Sequence, residues 1–179
     1  MLKTLAAGIG LVLALAGLMA ALALAGPQRD AYKLTANLKA RFEVPKPQGV
    51  PVGATGLFTG TAIEQDNDRA RVTWRLTFSK LSGRAMAAHI HAGRVGRAGN
   101  VVVALCGPCR SGQRGSTMVS HAQLRTIRAG RAYVNVHTRR NAAGEIRGQV
   151  KAREGTGSGT GSTTTTTTET TQPPPPPYP

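Results

Sequence analysis

The chain has 179 residues, which is enough for one domain of ordinary size with flanking tails. It carries 23 lysines and arginines against 8 aspartates and glutamates, a net charge of +15 at pH 7 that favours anionic partners. Only 4% of the residues are aromatic and the basic residues are scattered, which argues against a nucleic-acid partner. A general preference for arginine on solvated faces explains the charge equally well.

The N-terminal segment is predicted to be a secretory signal peptide, residues 1–25. Lys3 precedes an uncharged apolar run that ends in Ala23-Leu24-Ala25, a typical cleavage site. The alternative is an uncleaved anchor, because the run is long enough to span a bilayer. In either case the protein is expected to be secreted or associated with the cell envelope, and to touch a membrane only through this segment.

Residues 31–153 are predicted to form the folded domain, because short segments of alternating polar and apolar residues follow one another. The clearest are "YKLTANLKARFEVP" and "ARVTWRLTFS"; weaker ones are "GLFTGTAIEQ", "AAHIHA", "NVVVAL", "AYVNVHT" and "EIRGQVKA". One short helix is expected in "SHAQLRTIRAG", capped by Ser120 and ended by Gly130. In the first strand one apolar face is expected, formed by Leu34, Ala36, Leu38, Ala40, Phe42 and Val44. The pattern indicates an all-β antiparallel sandwich or barrel.

The last two strands have a predictable register, since their apolar residues must share one face. Val136 is then expected opposite Ile146. Four polar residues are expected on the other face, paired as His137 with Glu145 and Asn135 with Arg147. The same alternation turns Ile90 of "AAHIHA" inward. It therefore predicts that His89, His91 and His137 lie on outer sheet faces and not in the core.

The C-terminal segment, residues 154–179, is predicted to be a disordered tail rich in threonine and proline. Its Gly, Ser and Thr residues favour a flexible tether, and its proline run favours an extended polyproline helix. Such a tail is typical of a glycosylated or wall-spanning stalk, or it has no task of its own.

Several motifs together resemble the CHRD domain, a family named after chordin and common in exported bacterial proteins. They are "HIHAGRVGRAGNVVVAL" followed by "AGRAYVNVHTRRNAAGEIRGQV", preceded by "FEVP" and "ATGLFTGTA". The resemblance covers roughly residues 33–151 and implies an immunoglobulin-like β-sandwich outside the cytoplasm. It implies no defined activity. In chordin such domains belong to a secreted antagonist of growth factors.

The pair His89 and His91 is a candidate metal site. An H-x-H on a strand places two imidazoles on one face, about 7 Å apart at Cα, and His137 becomes a third ligand if its strand is adjacent. Neutral imidazoles suit copper or zinc, and Glu145 is then expected to orient the ring of His137.

The H-x-H arrangement also resembles copper–zinc superoxide dismutase, a β-sandwich, which implies possible superoxide chemistry. The resemblance is partial, because that family needs more histidines and a ligating aspartate. Here only His121 remains, and no aspartate follows Asp68. The competing hypothesis is a structural polar network that pins the loop "GRVGRAG" to the sheet. It comprises His89, His91, His137, Asn135, Glu145 and Arg147.

The motif "CGPC" is predicted to form a disulfide between Cys106 and Cys109, the default in an exported protein. It shares its letters with the thioredoxin site, but no helix that would lower a thiol pKa follows it. A thiol–disulfide function is therefore a third alternative only. The G-x-S-x-G motif of serine hydrolases is absent from the sequence.

The sequence thus favours an exported CHRD-type domain that acts as a structural or binding module at the cell envelope, without defined catalysis and without a cofactor. Its basic faces are expected to bind an anionic envelope polymer or an extracellular protein. The alternative is a mononuclear copper or zinc metalloprotein that uses His89, His91 and His137.

Overall fold

The computed structural model describes residues 29–65 and 67–155. Within them it contains a short 3₁₀ helix, one α-helix and nine strands. The strands are β1 (Ala31–Lys39), β2 (Thr55–Glu64), β3 (Arg69–Ser79), β4 (Ala85–Ala92), β5 (Val101–Cys106), β6 (Gln113–Ser120), β7 (Ala132–Thr138), β8 (Ile146–Gln149) and β9 (Lys151–Gly155). The predicted signal peptide and all but the first two residues of the predicted tail lie outside the described residues. None of the helices in the described ranges has the length and apolar character that a membrane span requires.

All nine strands belong to one antiparallel sheet, in the order β5-β4-β7-β8-β1-β2-β3-β6, with β9 also paired to β1. Its two end strands, β5 and β6, lie near each other, so the sheet is almost closed. Only Val150 separates β8, which pairs with β7, from β9, which pairs with β1. One continuous segment therefore joins the two halves of the sheet. The predicted all-β antiparallel fold with one short helix is confirmed.

A single apolar core lies between the two halves, because strands of both halves alternate between buried and exposed side chains. In β1 and β3 every second residue is buried over most of the strand, as the period of two predicts. The largest fully buried apolar side chains of the strands come from both halves: Leu34, Leu38, Phe58, Leu76, Ile90 and Ile146.

The alternation expected through Phe42 and Val44 is wrong. Strand β1 ends at Lys39, and the 3₁₀ helix Ala40–Phe42 follows, closed by a hydrogen bond from the Glu43 amide to the Ala40 carbonyl. A 3₁₀ turn advances three residues per turn instead of two, so the burial pattern shifts. Phe42 is 43% exposed, and the carboxylic acid Glu43 is buried in its place.

The α-helix α1 (His121–Arg128) begins and ends as predicted. The Ser120 hydroxyl accepts from the Gln123 amide at 3.2 Å, and the Gln123 side chain accepts from the Ser120 amide at 2.7 Å, which completes a capping box. Leu124 and Ile127 pack into the core. Gly130 has φ +65°, a conformation that glycine adopts without strain at a helix end.

Two of the three residue pairs predicted between β7 and β8 are observed. Val136 lies opposite Ile146 and Asn135 opposite Arg147. Because both apolar residues face the core, the face of β7 that carries Asn135 and His137 is the outer one. This register determines where the candidate site forms.

Candidate functional site

Three of the four histidines meet on the outer face of the paired strands β4 and β7. His89 and His91 share this face because they are two residues apart on β4, with Ile90 between them in the core. Strand β7 lies alongside, with Tyr133 opposite His91 and Ala87 of β4 opposite His137. The expected adjacency of the strands therefore brings all three imidazoles together.

The three rings offer one nitrogen each within a small volume. These nitrogens all lie within 4.8 Å of one another. Nδ1 of His89 is 3.0 Å from Nε2 of His137. The ring centroids are 4.8 to 5.9 Å apart. No acidic side chain or cysteine belongs to this cluster in the described part of the chain.

Hydrogen bonds to carbonyl oxygens determine which ring nitrogens carry the protons. Nδ1 of His137 lies 2.9 Å from the Ala142 oxygen, and Nδ1 of His91 lies 2.8 Å from the Gly99 oxygen. A carbonyl oxygen only accepts, so both Nδ1 atoms donate and each neutral ring keeps its lone pair on Nε2. Nε2 of His91 is buried and has no hydrogen-bond partner among the described residues.

Burial favours the neutral, lone-pair form of these rings. Burial lowers the pKa of His89, and the nearby His91 lowers it further. Burial also lowers the pKa of His137; the bond to Ala142 opposes this and the other two histidines reinforce it. Neutral imidazoles are the form that binds metals.

The glycine-rich segment 93–100 folds over the histidines and covers them. The Arg147 guanidinium donates through Nη2 to the Arg94 oxygen at 3.0 Å and to the Arg97 oxygen at 2.7 Å. Gln149 donates to the Gly93 oxygen at 2.8 Å, and the Gly99 amide donates to the Tyr133 hydroxyl at 3.2 Å. Arg147 and Tyr133 therefore tie this loop to the sheet.

The predicted position of the histidines on the outer sheet face is compatible with their burial under this loop. All three lie on the outer sheet face, as the alternation predicts, but His91 is only 8% exposed and His137 only 9%. The reason is the loop 93–100, which has no periodic pattern from which its path could be predicted. A stack of three side chains fills the space under it. The guanidinium carbon of Arg147 lies 3.3 Å from the centre of the Tyr133 ring. The His91 ring stacks on the same tyrosine, with 4.9 Å between the ring centroids and 10° between the ring planes.

The expected contact between Glu145 and His137 is wrong. The Glu145 carboxylate accepts from Ser82, through both the amide and the hydroxyl at 2.5 Å, from the Thr138 hydroxyl at 2.5 Å, and from Asn141 at 3.1 Å. The residue pairing of β7 and β8 begins only at Val136 and Ile146. Glu145 lies before it, in a loop where strand alternation no longer sets the side-chain direction. The Ala142 carbonyl orients His137 instead.

The remaining polar residues of the predicted network are buried beside the histidines. Asn135 donates to the Ala143 oxygen at 3.4 Å, and its Oδ1 has no hydrogen-bond partner among the described residues. Glu43 lies next to Asn135, and both side chains pack against Gly144. A Cβ added at Gly144 would lie 2.4 Å from Oε2 of Glu43 and 2.5 Å from Nδ2 of Asn135. Burial raises the pKa of Glu43, although the bond from the Val44 amide and the charge of Arg147 oppose the shift.

Sequence reasoning missed two residues of this site. Tyr133 has the same parity on β7 as Asn135 and His137, so the alternation already placed it on the same face. Glu43 had no such signal, because it follows the 3₁₀ turn. The fourth histidine, His121, lies apart from the cluster, 3.6 Å from carboxylate oxygens of Glu64 and of Asp68.

Cys106 and Cys109 form the predicted disulfide, with an S–S distance of 2.11 Å. They leave no free cysteine in the part of the chain that the structure describes. The bridge lies at the end of β5, and the Cys109 amide donates to the Ala85 oxygen of β4 at 3.0 Å. It fastens the loop after β5 to the neighbouring strand and contributes no ligand to the histidine cluster.

Comparison with known proteins identifies one family. A family model described as the CHRD domain matches residues 34–150. That range contains the three clustered histidines, Tyr133, Arg147 and the covering loop. No curated protein and no solved structure matches the chain significantly.

Proposed function

The chain belongs to the CHRD domain family, and we propose that it is an exported binding module that holds a single copper or zinc ion on His89, His91 and His137. Export is supported by the signal-peptide pattern of residues 1–25. The Thr- and Pro-rich residues 154–179 would serve as a tether at the cell envelope. The family suggests a binding or structural module without catalysis, and the histidine cluster supplies the binding chemistry.

One observation carries the metal assignment: the lone pair on Nε2 of His91 is buried without a partner. A buried polar atom that makes no hydrogen bond costs about 1–3 kcal/mol. One ring nitrogen of His91 lies within 4.8 Å of a ring nitrogen of each of the other two histidines. A metal ion bound among the three rings would replace the hydrogen bond between His89 and His137 and give the His91 lone pair a partner.

The surrounding contacts fit a metal centre better than a purely structural network. Metal-bound histidines commonly donate their second ring nitrogen to a carbonyl or carboxylate, which fixes the tautomer and the ring direction. His91 and His137 both do so, toward Gly99 and Ala142. In a network that served only to pin the loop, we would expect every imidazole nitrogen to have a partner. Arg147 and Tyr133 already pin the loop without the histidines.

The donor set limits the choice of metal. Three neutral imidazoles with no thiolate or carboxylate suit Zn²⁺ or Cu²⁺ rather than Ca²⁺ or Mg²⁺, which require oxygen ligands. Three protein ligands leave one coordination position open for water or a small ligand. Superoxide dismutation is therefore the activity to assay on copper-loaded protein. If the protein has no such activity, its role is to bind the metal ion.

The test is the metal content of the purified full chain after stripping with a chelator, equilibration with Cu²⁺ or Zn²⁺ and removal of the excess. We expect about one ion per chain in the parent protein, and loss of it in the double variant His89→Gln/His91→Gln. The matched control is His121→Gln, which removes the histidine outside the cluster and should keep the ion. Thermal unfolding shows whether each variant is folded. A parent that retains no metal, or a folded double variant that retains as much as the control, would overturn the proposal.

A further inference from the structure

Two adjacent rows of side chains cross the outer face of the sheet half formed by β1, β2, β3, β6 and β9. Each row runs from strand to strand through directly paired residues, and each consists only of basic and hydroxyl side chains. The first row is Lys151, Thr35, Thr59, Arg75 and Arg114; the second is Arg153, Lys33, Thr61, Thr73 and Ser116. We call these ten residues the hydroxyl–basic face.

The hydroxyl–basic face is open to solvent. None of its ten residues is buried, while the residues between them on the same strands, such as Leu34, Phe58 and Val72, lie in the core. The Trp74 ring also points inward, where it lies against Gly115. No aromatic or acidic side chain belongs to either row.

The arrangement of charges on this face is costly for folding. Arg75 is paired directly with Arg114, and Lys33 directly with Arg153. Like charges directly opposite each other on neighbouring strands destabilise a sheet. No ion pair relieves any of the five basic residues in the described part of the chain. Such unrelieved charge is explained if an anionic partner covers it.

A cavity of about 630 Å³ adjoins the end of the first row at β1 and β9. Thr35 and Lys151 belong both to the row and to the cavity lining, and Lys39, Arg41 and Lys46 add three more cations. Arg147 also lines it; this side chain is only 2% exposed, and its Nη1 has no hydrogen-bond partner among the described residues.

This cavity has the size of ordinary ligand pockets, about 300–1,000 Å³. Glu43 is the one acidic residue of the lining, and five basic residues outnumber it. Glu43 interacts with the Arg147 guanidinium only through its charge, and Nη1 of Arg147 still has no hydrogen-bond acceptor among the described residues. A carboxylate is the acceptor that a guanidinium binds best.

From these observations we propose that the hydroxyl–basic face binds a linear acidic polysaccharide, with one acidic sugar in the cavity and its carboxylate toward Arg147. The rows span five strands, about 19 Å at the usual strand spacing, which is the length of several sugar units. Lysines and arginines would pair with the carboxylates, and the Thr and Ser hydroxyls would bond the sugar hydroxyls. A single-stranded nucleic acid fits less well, because it needs aromatic side chains for base stacking.

The inference does not depend on the proposed metal site, since the face and the cavity lining contain none of the three histidines. Its test measures the affinity of the purified full chain for polygalacturonate, a linear chain of acidic sugars, at several salt concentrations. Neutral dextran and single-stranded DNA serve as comparison polymers. We expect binding to polygalacturonate that weakens with salt, and weaker or no binding to the other two.

Two triple variants with the same net charge separate a specific face from general attraction. Arg75→Gln/Arg114→Gln/Lys151→Gln removes the basic residues of the first row. Arg84→Gln/Arg131→Gln/Arg139→Gln removes three exposed arginines elsewhere. We expect the first triple to bind polygalacturonate at least about tenfold more weakly and the second to change affinity less than about threefold. The first triple should not unfold at a lower temperature, since it removes a like-charge pair.

Each remaining outcome would overturn the proposal. Equal losses in both triples would mean that net charge alone attracts the polymer. Tighter binding to DNA that depends on the first row would assign the face to nucleic acid. An absence of polygalacturonate binding at low salt would mean that the face has another partner or none.

Discussion

Nδ1 of His89 lies 3.0 Å from Nε2 of His137. Because His137 donates through Nδ1 to the Ala142 oxygen, its Nε2 is the acceptor, and the proton of this contact belongs to His89. His89 therefore carries its hydrogen on Nδ1 in the metal-free protein. A metal ion bound between the three rings needs the lone pair of that same nitrogen, so His89 has to change tautomer when the ion binds.

This change is a prediction that NMR can check. In ¹⁵N-labelled protein, long-range ¹H–¹⁵N spectra of the imidazoles should show His89 protonated on Nδ1 without metal and on Nε2 with Zn²⁺ bound. His91 and His137 should remain protonated on Nδ1 in both states, because their carbonyl partners do not change. His121 serves as the internal reference and should not respond. If His89 kept its proton on Nδ1 in zinc-loaded protein, it would not be a ligand through that atom.

A second prediction concerns the loop 93–100. A Cβ added at Gly99 would lie 1.6 Å from the Ala92 oxygen, so Gly99→Ala has to displace the loop. The displacement should break the bonds of Gly99 to His91 and Tyr133. We expect a loss of about 2–4 kcal/mol in the free energy of unfolding, together with faster exchange of the bound ion.

The matched control for Gly99→Ala is Gly83→Ala, where an added Cβ would meet nothing within 4 Å. Its unfolding free energy should stay within about 0.5 kcal/mol of the parent. Thermal unfolding and metal-exchange kinetics measure both variants. Equal ion exchange in Gly99→Ala and the parent would show that the loop does not retain the ion.

The two buried carboxylic acids should respond to pH with opposite signs. Burial raises the pKa of Glu43 in the folded protein. Folding therefore disfavours the ionised form of Glu43. The pKa of a glutamate in the unfolded chain is about 4.3, and the parent loses stability as the pH rises from there through the pKa of Glu43 in the folded protein. Glu43→Gln does not ionise, so its melting temperature relative to the parent should rise as the pH increases above the unfolded pKa.

Glu145→Gln is the counterpart. Burial on its own would raise the pKa of Glu145, but hydrogen bonds from Ser82, Thr138 and Asn141 outweigh it and hold the pKa below its usual range. The ionised form then stabilises the fold above the unfolded pKa, and this stability is lost as pH falls through the folded pKa. Glu145→Gln should cost about 2–3 kcal/mol at neutral pH and less in acid. Melting curves that shift in the same direction with pH for both variants would contradict the assignment.

The sequence predicted those parts of the structure that depend on strand alternation. The opposition of Val136 and Ile146, the shared face of His89 and His91, and the capped helix after Ser120 all follow from local periodicity or local chemistry. Alternation does not continue past the last paired residues, so the positions of Glu145 and Glu43 were not predictable from it. The cover over the histidines was not predictable either, because the path of a glycine-rich loop depends on long-range contacts such as that of Arg147 with Arg97.

The hydroxyl–basic face shows a related limit. Its basic residues are far apart along the sequence, so the sequence alone does not show that they form one surface. Only the register of five strands brings Lys33, Arg75 and Arg114 to one face. Interstrand pairing therefore turns a general excess of positive charge into a defined surface.

Val150, the single residue between β8 and β9, couples the two candidate sites. Arg147 and Gln149 before it hold the cover over the histidines, and Lys151 and Arg153 after it belong to the hydroxyl–basic face. These four residues occupy every second position of one segment, so their side chains all lie on the outer face of the sheet. A one-residue insertion at Val150 would reverse the side chains of β9, turning Lys151 and Arg153 toward the core and Ala152 toward solvent. The length of this segment is therefore constrained by both candidate sites at once.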